Sequence, residues 1–261
     1  MLADKVEEKI VKRAERELAS NEKRTISRKD GFDKKKVIDD VLDKATIMTL
    51  SKMINSGIIS YVNGSVGSGK ESKVYWAVNS AGQDIALKIY LVTALNFKKR
   101  AQYIIGDPRF TSRKKSPRNI VELWAQKEFR NLNQCLKSGI SSVKPIGIYG
   151  NVLALEFVGK NGVPTKTLVE TEVDYDDYKS AISIISDLYN KTKLVHADLS
   201  EYNIFKTENG LVVFDFASAV DIRHQKAIEF LERDIKNIAR FFAKRGLTVE
   251  NPSDTFERIT K

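Results

Sequence analysis

The sequence predicts an α+β protein of two lobes, a strand-rich first half and a helix-rich second half. Three observations carry that prediction. Up to Asn55 apolar residues recur at intervals of three and four; from Ile58 they fall into short β-rich runs bounded by glycine; after 157–164 the helical interval returns. With no internal repeat and no Pro/Gly/Ser-rich linker, these changes of period give two lobes and a cleft between them. The expected divisions are a charged helical extension over 1–44, a first lobe over 45–157 and a second over 158–261.

Composition narrows the classes. The chain has 261 residues, 42% hydrophobic and 30% charged, which excludes wholesale disorder. No run approaches the roughly 20 apolar residues of a membrane span, so no membrane partner is expected. Residues 1–20 alternate charged with single apolar residues and do not form a secretory signal. A lone cysteine, Cys135, excludes a disulfide framework and suits a reducing, cytoplasmic setting. The net charge of +10 points to an anionic partner without choosing one.

The elements follow in order. Residues 1–19 suggest a marginal helix, and Lys34 to Asn55 a sturdier one, carrying Val37, Ile38, Val41, Leu42, Ala45, Met48, Met53 and Ile54, with Gly57 as its stop. Ile58–Val62, Lys73–Val78 and Ile85–Tyr90 read as strands around a glycine-rich turn over Gly64–Lys70 and a second turn over Asn79–Gly82. After a polar stretch, Ser116 is a candidate N-cap, Pro117 a first helical residue and Gly139 a terminator. Val143–Tyr149 and Val152–Phe157 form a hairpin about Gly150-Asn151. Tyr178 to Tyr189 and Ile228 to Phe242 mark two helices, with short strands Leu194–Val195, Ile204–Phe205 and Leu211–Phe216 between them.

The segment Gly64-Ser65-Val66-Gly67-Ser68-Gly69-Lys70 imitates a Walker A loop. It fails at the eighth place, where Glu71 stands instead of a magnesium-binding hydroxyl, and it precedes a strand rather than a helix. A glycine-rich turn between antiparallel strands serves either as an ordinary hairpin or as a flap over nucleotide phosphates.

Lys88 lies in Ile85-Ala86-Leu87-Lys88-Ile89-Tyr90, like the lysine strand of kinases, and alternation puts Ala86, Lys88 and Tyr90 on one face. A half-buried lysine needs an anionic partner or a route to solvent. Val121, Trp124, Ala125, Leu132 and Cys135 form an apolar stripe in the following helix, and Glu128 falls within it. A carboxylate there is costly unless paired, so Glu128 is the expected partner of Lys88. Glu122, between Arg118 and Gln126, belongs to the polar face. Cys135 is expected in the core.

The most informative stretch is His196-Ala197-Asp198-Leu199-Ser200-Glu201-Tyr202-Asn203, which resembles the kinase pattern H-R-D-x-x-x-x-N. Asp198 is placed to accept a substrate hydroxyl proton as the catalytic base, and Asn203 to ligate Mg²⁺ through its amide oxygen. Downstream, the apolar run Leu211-Val212-Val213-Phe214 leads into Asp215, a hard oxygen anion and the natural second metal ligand. His196 and His224 lack zinc-ligand spacing, and His196 is expected to brace the loop.

Together with Ser68-Gly69-Lys70-Glu71-Ser72-Lys73-Val74-Tyr75 and Lys127-Glu128-Phe129-Arg130-Asn131-Leu132, that loop resembles the RIO family of atypical serine/threonine protein kinases, and within it the first subfamily, over about residues 45–245. The absence of a leading winged-helix segment and of a long tail points to an archaeal type. The resemblance implies a bilobal kinase-like fold whose reduced second lobe lacks the peptide-binding subdomain. Ala197 stands for the arginine of H-R-D and Ala217 for the glycine after Asp-Phe, and no A-P-E follows.

By the same resemblance, Gly67, Ser68, Gly69 and Lys70 would line the phosphate flap and Lys88 would contact the α- and β-phosphates of ATP. Glu156 and Val158 would bind adenine through their backbone. Asn203 and Asp215 would hold Mg²⁺, with Mn²⁺ as the alternative metal. The residue matching Asp215 would also accept phosphate in an ATPase cycle. The implied function is ATP-dependent serine/threonine phosphorylation with autophosphorylation, acting in maturation of the small ribosomal subunit. The alternatives are an ATPase switch on pre-ribosomal particles, a small-molecule phosphotransferase, and a non-catalytic RNA-binding module.

The charge is concentrated. Lys98, Lys99, Arg100, Arg109, Arg113, Lys114, Lys115 and Arg118 face a single acidic residue, Asp107, within residues 98–118. This basic loop reads either as a solvated face or as a contact for ribosomal RNA. Thr111, Ser112 and Ser116 are its candidate autophosphorylation sites.

Overall fold

A computed structural model describes residues 42–69, 71–91, 102–104, 106–110 and 117–261. Residues 1–41 of the predicted extension 1–44, Lys70, the three candidate phosphorylation sites, and Lys98, Lys99, Arg100, Arg113, Lys114 and Lys115 lie outside them.

The first described helix, α1 (Lys44–Asn55), starts later than its apolar spacing predicts, because Asp43 takes an extended conformation and its carboxylate accepts the Thr46 N–H at 2.7 Å. Gly57, at φ +76°, ends it as expected. Five strands then build an antiparallel sheet: β1 (Tyr61–Ser68), β2 (Ser72–Val78), β3 (Asp84–Tyr90), β4 (Pro145–Tyr149) and β5 (Val152–Glu156), in the order β1-β2-β3-β5-β4. Strand β1 runs through most of the predicted glycine turn. Register shifts around Ser65 absorb the extra residues as bulges, which glycine accommodates cheaply. Leu50 and Met53 of α1 pack with Tyr75, Ala77, Ile85, Leu87, Ile89, Val152 and Ala154, so one sheet face is sealed by the helix. Buried Asn151, in the β4–β5 turn, donates to the Tyr90 carbonyl at 2.9 Å and to Thr46 Oγ1 at 3.0 Å, tying turn, sheet and helix together.

Helix α2 (Pro117–Lys137) has its predicted proline start and ends before Gly139 at φ +68°. Beyond the sheet come two two-residue strands, β6 (Gly159–Lys160) and β7 (Val163–Pro164). Helix α3 (Tyr175–Thr192) begins at Asp174, whose side chain caps the N–H groups of Asp176 and Asp177. Strands β8 (Leu194–Val195), β9 (Ile204–Thr207), β10 (Gly210–Val213) and β11 (Val220–Asp221) precede helix α4 (Ala227–Lys244). Ile228, read as part of the α4 stripe, is exposed; Ala227, Phe230, Leu231, Ile235 and Ile238 face inward. A last helix, α5 (Pro252–Thr260), went unpredicted, although the Asn251 cap followed by Pro252 is its local signal.

The chain divides into two compact units, residues 1–94 with Pro145–Val163, and residues 95–144 with Pro164–Lys261. Helix α2 groups with the second unit, whereas the sequence reading placed it in the first lobe. Its buried polar side chains explain the grouping, since they bond to the backbone near residues 216–219. Among the described residues no helix is long and apolar enough to cross a membrane.

Candidate active site

In the first unit, Gly67, Ser68 and Gly69 close a β1–β2 hairpin in which the Gly69 N–H donates to Ser72 O at 2.9 Å. A strand, not a helix, follows, so the Walker A imitation is set aside by geometry as well as by Glu71. A Cβ on Gly67 would meet only Val74, at an ordinary 3.6 Å. Lys88 lies opposite Val74 and Leu153 on the central strand β3, buried, with its ammonium 5.2 Å from the Tyr90 ring centroid. Lysine and tyrosine thus share the face that alternation gave them, opposite the core face of Ile85, Leu87 and Ile89. Glu156 ends β5, and Val158 follows in the segment leading to β6.

The second unit assembles its own group. The β9–β10 register sets Ile204 against Val213, and the Asn203 carbonyl accepts the Phe214 N–H at 3.0 Å. Stacking of Phe205 on Phe214, 4.2 Å between centroids, reinforces that end of the hairpin. Asn203 and Asp215 are therefore carried at the base of the hairpin by regular strand pairing. The Asn203 amide nitrogen donates to the Asp198 carbonyl at 2.8 Å. As expected, His196 braces the loop: buried, it donates from Nε2 to Phe214 O at 3.1 Å and packs edge-on against Phe216.

Three residues of α4 add four further bonds to the loop. Asp234, 1% exposed, accepts the Ala197 and Leu199 N–H groups at 2.8 and 2.9 Å. Arg233 donates to the Ala197 carbonyl, and Asn237 to the Leu199 carbonyl at 3.2 Å. Ala197 and Asp215 both sit in the left-handed region, at φ +64°. A non-glycine residue holds that conformation when its surroundings fix it. Around Ala197 the fixing groups are Asp234 and Arg233.

Electrostatics agree with this proximity. The Asp198 side chain reaches solvent, yet its carboxyl is raised above the usual range, first by desolvation and then by the Asp215 charge, with Arg233 opposing. Burial pushes Asp234 up to about 7, against the two backbone N–H groups and Arg233. Cys135 is core, its thiol pushed up to about 12 by burial.

Helix α2 brings Glu128 inward, at 0% exposure, as the stripe predicts. Lys127 and Asn131 are equally buried, which the sequence reading did not anticipate. Burial pulls the Lys127 ammonium down to about 7, opposed by Asp107, then lowered further by Arg109 and raised by Glu128. The described part of the basic loop is also internally engaged. Arg109 grips Asp107 through two bonds of 2.9 and 2.7 Å, and Arg118 lies 3.3 Å from Glu122 on the outer face of α2. Arg109 is thus held internally, and Arg118 is paired at the partly exposed surface of α2.

A model of the RIO domain matches residues 73–255. The chain belongs to the RIO family. It is 36% identical to the serine/threonine-protein kinase rio1 of Dictyostelium discoideum, over 85% of this chain and 40% of that protein. The RIO-type serine/threonine-protein kinase Rio1 of Haloferax volcanii is 35% identical, over 87% of this chain and 79% of its own length. For serine/threonine-protein kinase RIO3 of Caenorhabditis elegans the identity is 36%, over 94% of this chain and 49% of that protein. The chain thus spans between 40% and 49% of those two eukaryotic relatives. The solved Rio2 kinase from Chaetomium thermophilum, in an ADP/Mg²⁺-phosphoaspartate complex, superposes with a TM-score of 0.63 at 22% identity, over 81% of this chain and 65% of that one. That likeness shows the fold, an α+β kinase-like architecture. The RIO match covers β2 to α5, including Lys88, Glu128, Asp198, Asn203 and Asp215.

Proposed function

We propose that this RIO-family chain is an ATP-dependent serine/threonine protein kinase that also hydrolyses ATP. The observation that carries the reading is the β9–β10 hairpin holding Asn203 and Asp215 beside Asp198, whose carboxyl feels the Asp215 charge. Gly67, Ser68, Gly69 and Lys70 cover the phosphates, Lys88 contacts the α- and β-phosphates, and the backbone of Glu156 and Val158 receives adenine.

The donor set suits Mg²⁺: one carboxylate and one amide oxygen, hard ligands that leave places for phosphate oxygens and water. Among the described residues no group of three or more His, Cys, Asp or Glu forms an all-protein cage, which is the pattern of a metal carried in with nucleotide. When bound, the metal neutralises charge developing on the phosphates. Asp198 orients the acceptor hydroxyl and takes its proton; its raised pKa moves its basicity toward working pH. Loop geometry is set by Asp234 and His196, so no reorganisation is needed at the moment of transfer.

The Rio2 relative is described with phosphoaspartate, and Asp215 is the matching candidate here. Its carboxylate oxygen bonds to the γ-phosphorus as the β–γ bridging bond breaks and ADP leaves; water then releases phosphate. The family and the basic loop support a role on small-ribosomal-subunit precursors, with loop phosphorylation at Thr111, Ser112 or Ser116 weakening RNA contact by added negative charge. Because Arg109 and Arg118 are paired, that contact falls to the other basic residues. Lys114→Ala with Lys115→Ala lowers particle binding and its salt dependence; unchanged binding discards the RNA surface.

The deciding experiment follows γ-labelled ATP. Label on serine or threonine of a protein acceptor, lost in Asp198→Asn, supports the kinase reading. Acid-labile label lost in Asp215→Asn supports the aspartyl step. Neither label, with no ATP consumption, overturns the proposal.

A further inference from the structure

Helix α2 carries two buried polar side chains that have no part in the chemistry described above. The Lys127 ammonium donates to the carbonyls of Ala217, at 3.0 Å, and Ala219. The Asn131 amide donates to Phe216 O at 2.9 Å and to Ala219 O at 3.0 Å. Four bonds therefore fall on three carbonyls of the four residues that follow Asp215. A methionine and a leucine would fill the same space without desolvating an ammonium and an amide, so packing alone does not explain these residues. Their donors grip the backbone next to a non-glycine residue at φ +64°, a conformation that persists only where neighbours impose it.

The grip has an outer layer. Arg109 donates from one guanidinium nitrogen to Asn131 Oδ1 at 2.9 Å, while its other donors hold Asp107. The Asn131 amide is thereby fixed in orientation, oxygen toward Arg109 and nitrogen toward the 216–219 carbonyls. Asp107, itself buried, is ion-paired to Arg109 at 2.7 Å, and its charge raises the Lys127 ammonium more than that of Glu128 does. Lys127 also lies 5.8 Å from the Phe110 ring centroid and 5.7 Å from that of Trp124, so aromatic faces complete its surroundings.

We propose that Lys127 and Asn131 are positioning residues for Asp215: they hold the 216–219 backbone so that the Asp215 carboxylate stays in its metal-binding orientation. Arg109, from the basic loop, fixes the orientation of Asn131. This inference rests on the reading of Asp215 as a metal ligand and adds the residues that make that ligand competent.

The test is calorimetric titration of the full chain with ADP, with and without Mg²⁺, beside steady-state kinetics. Lys127→Met is expected to bind ADP alone as the parent does, while losing tenfold or more of the tightening that Mg²⁺ brings. Its kcat falls more than its KM rises, and Lys127→Arg restores part of both. Asn131→Ala gives the same pattern more weakly and serves where Lys127→Met does not fold. Undiminished Mg²⁺-dependent tightening in variants with lowered melting temperature makes the two residues merely structural and overturns the proposal. A parent whose ADP affinity ignores Mg²⁺ overturns the metal reading of Asp215 itself, and the positioning role with it.

Discussion

The β1–β2 hairpin and the 196–203 loop are the two candidate catalytic segments, and they are held in opposite ways. The hairpin closes through backbone bonds between its own strands, with residues 64, 65, 68 and 69 exposed and, among the described residues, no buried side chain bonded to its tip. The loop is gripped from outside by Asp234, Arg233 and Asn237, through backbone groups of Ala197 and Leu199 on either side of Asp198, while His196 within it bonds to the Phe214 carbonyl. The difference matches the roles proposed for them. A phosphate cover has to admit and release nucleotide, whereas a base has to stand within hydrogen-bond reach of one proton.

The contrast is broken most severely at Asp234. Asp234→Ala leaves two buried N–H groups without acceptors and is expected to cost about 4 kcal/mol, from the usual 1–3 kcal/mol per orphaned donor, with phosphoryl transfer abolished. Urea unfolding measures the first and labelled ATP the second. A loss below about 1 kcal/mol would show that the loop is held by other contacts.

Next is Asp198→Asn, which removes the proposed base and leaves the frame. Transfer to a protein acceptor is expected to fall by about 10²–10⁴. Folding stability should hold steady or rise, because a carboxylate disfavoured by its surroundings is gone.

The same pair gives a pH test. Asp198's folded value lies above its ordinary 3.8. Its contribution to stability is therefore complete below that pH and is lost as pH rises through the raised value. Without nucleotide or metal, Asp198→Asn should gain stability relative to the parent as pH climbs from about 4, and the gain should shrink in an Asp215→Asn background. Urea midpoints across the acid range read this directly; a difference independent of pH would mean that the two carboxylates do not interact.

The smallest effect belongs to the hairpin. Gly67 has ordinary backbone geometry and room for a methyl against Val74, so Gly67→Ala is expected to shift stability by less than about 0.5 kcal/mol. Its consequence should appear in nucleotide affinity. A large loss of stability would remove the distinction between the two segments.

Much of this was legible beforehand, for a common reason. Asp198 and Asn203 share one short loop, Asp215 follows an apolar strand, and Glu128 interrupts an apolar stripe; each depends on spacing along one element. The same stripe logic applied to Phe230, Leu231, Ile235 and Ile238 would have exposed Asp234, and the lone acid within the basic loop was a sign of Asp107. Lys127 and Asn131 had a weaker signal, since a lysine and an asparagine on a helix are ordinarily solvated.

The sequence by itself determined the period of each element, the glycine and proline stops, and the order of the chemical groups, because these are local consequences of side-chain type and backbone freedom. Tertiary structure alone decided which partners the inward polar residues took. It set Asp234 under the catalytic loop, gave Lys127 and Asn131 the 216–219 carbonyls, and turned Arg109 from a surface cation into an internal tie. A buried polar group is stable only with its partners present, and those partners are contributed by segments up to 105 residues away.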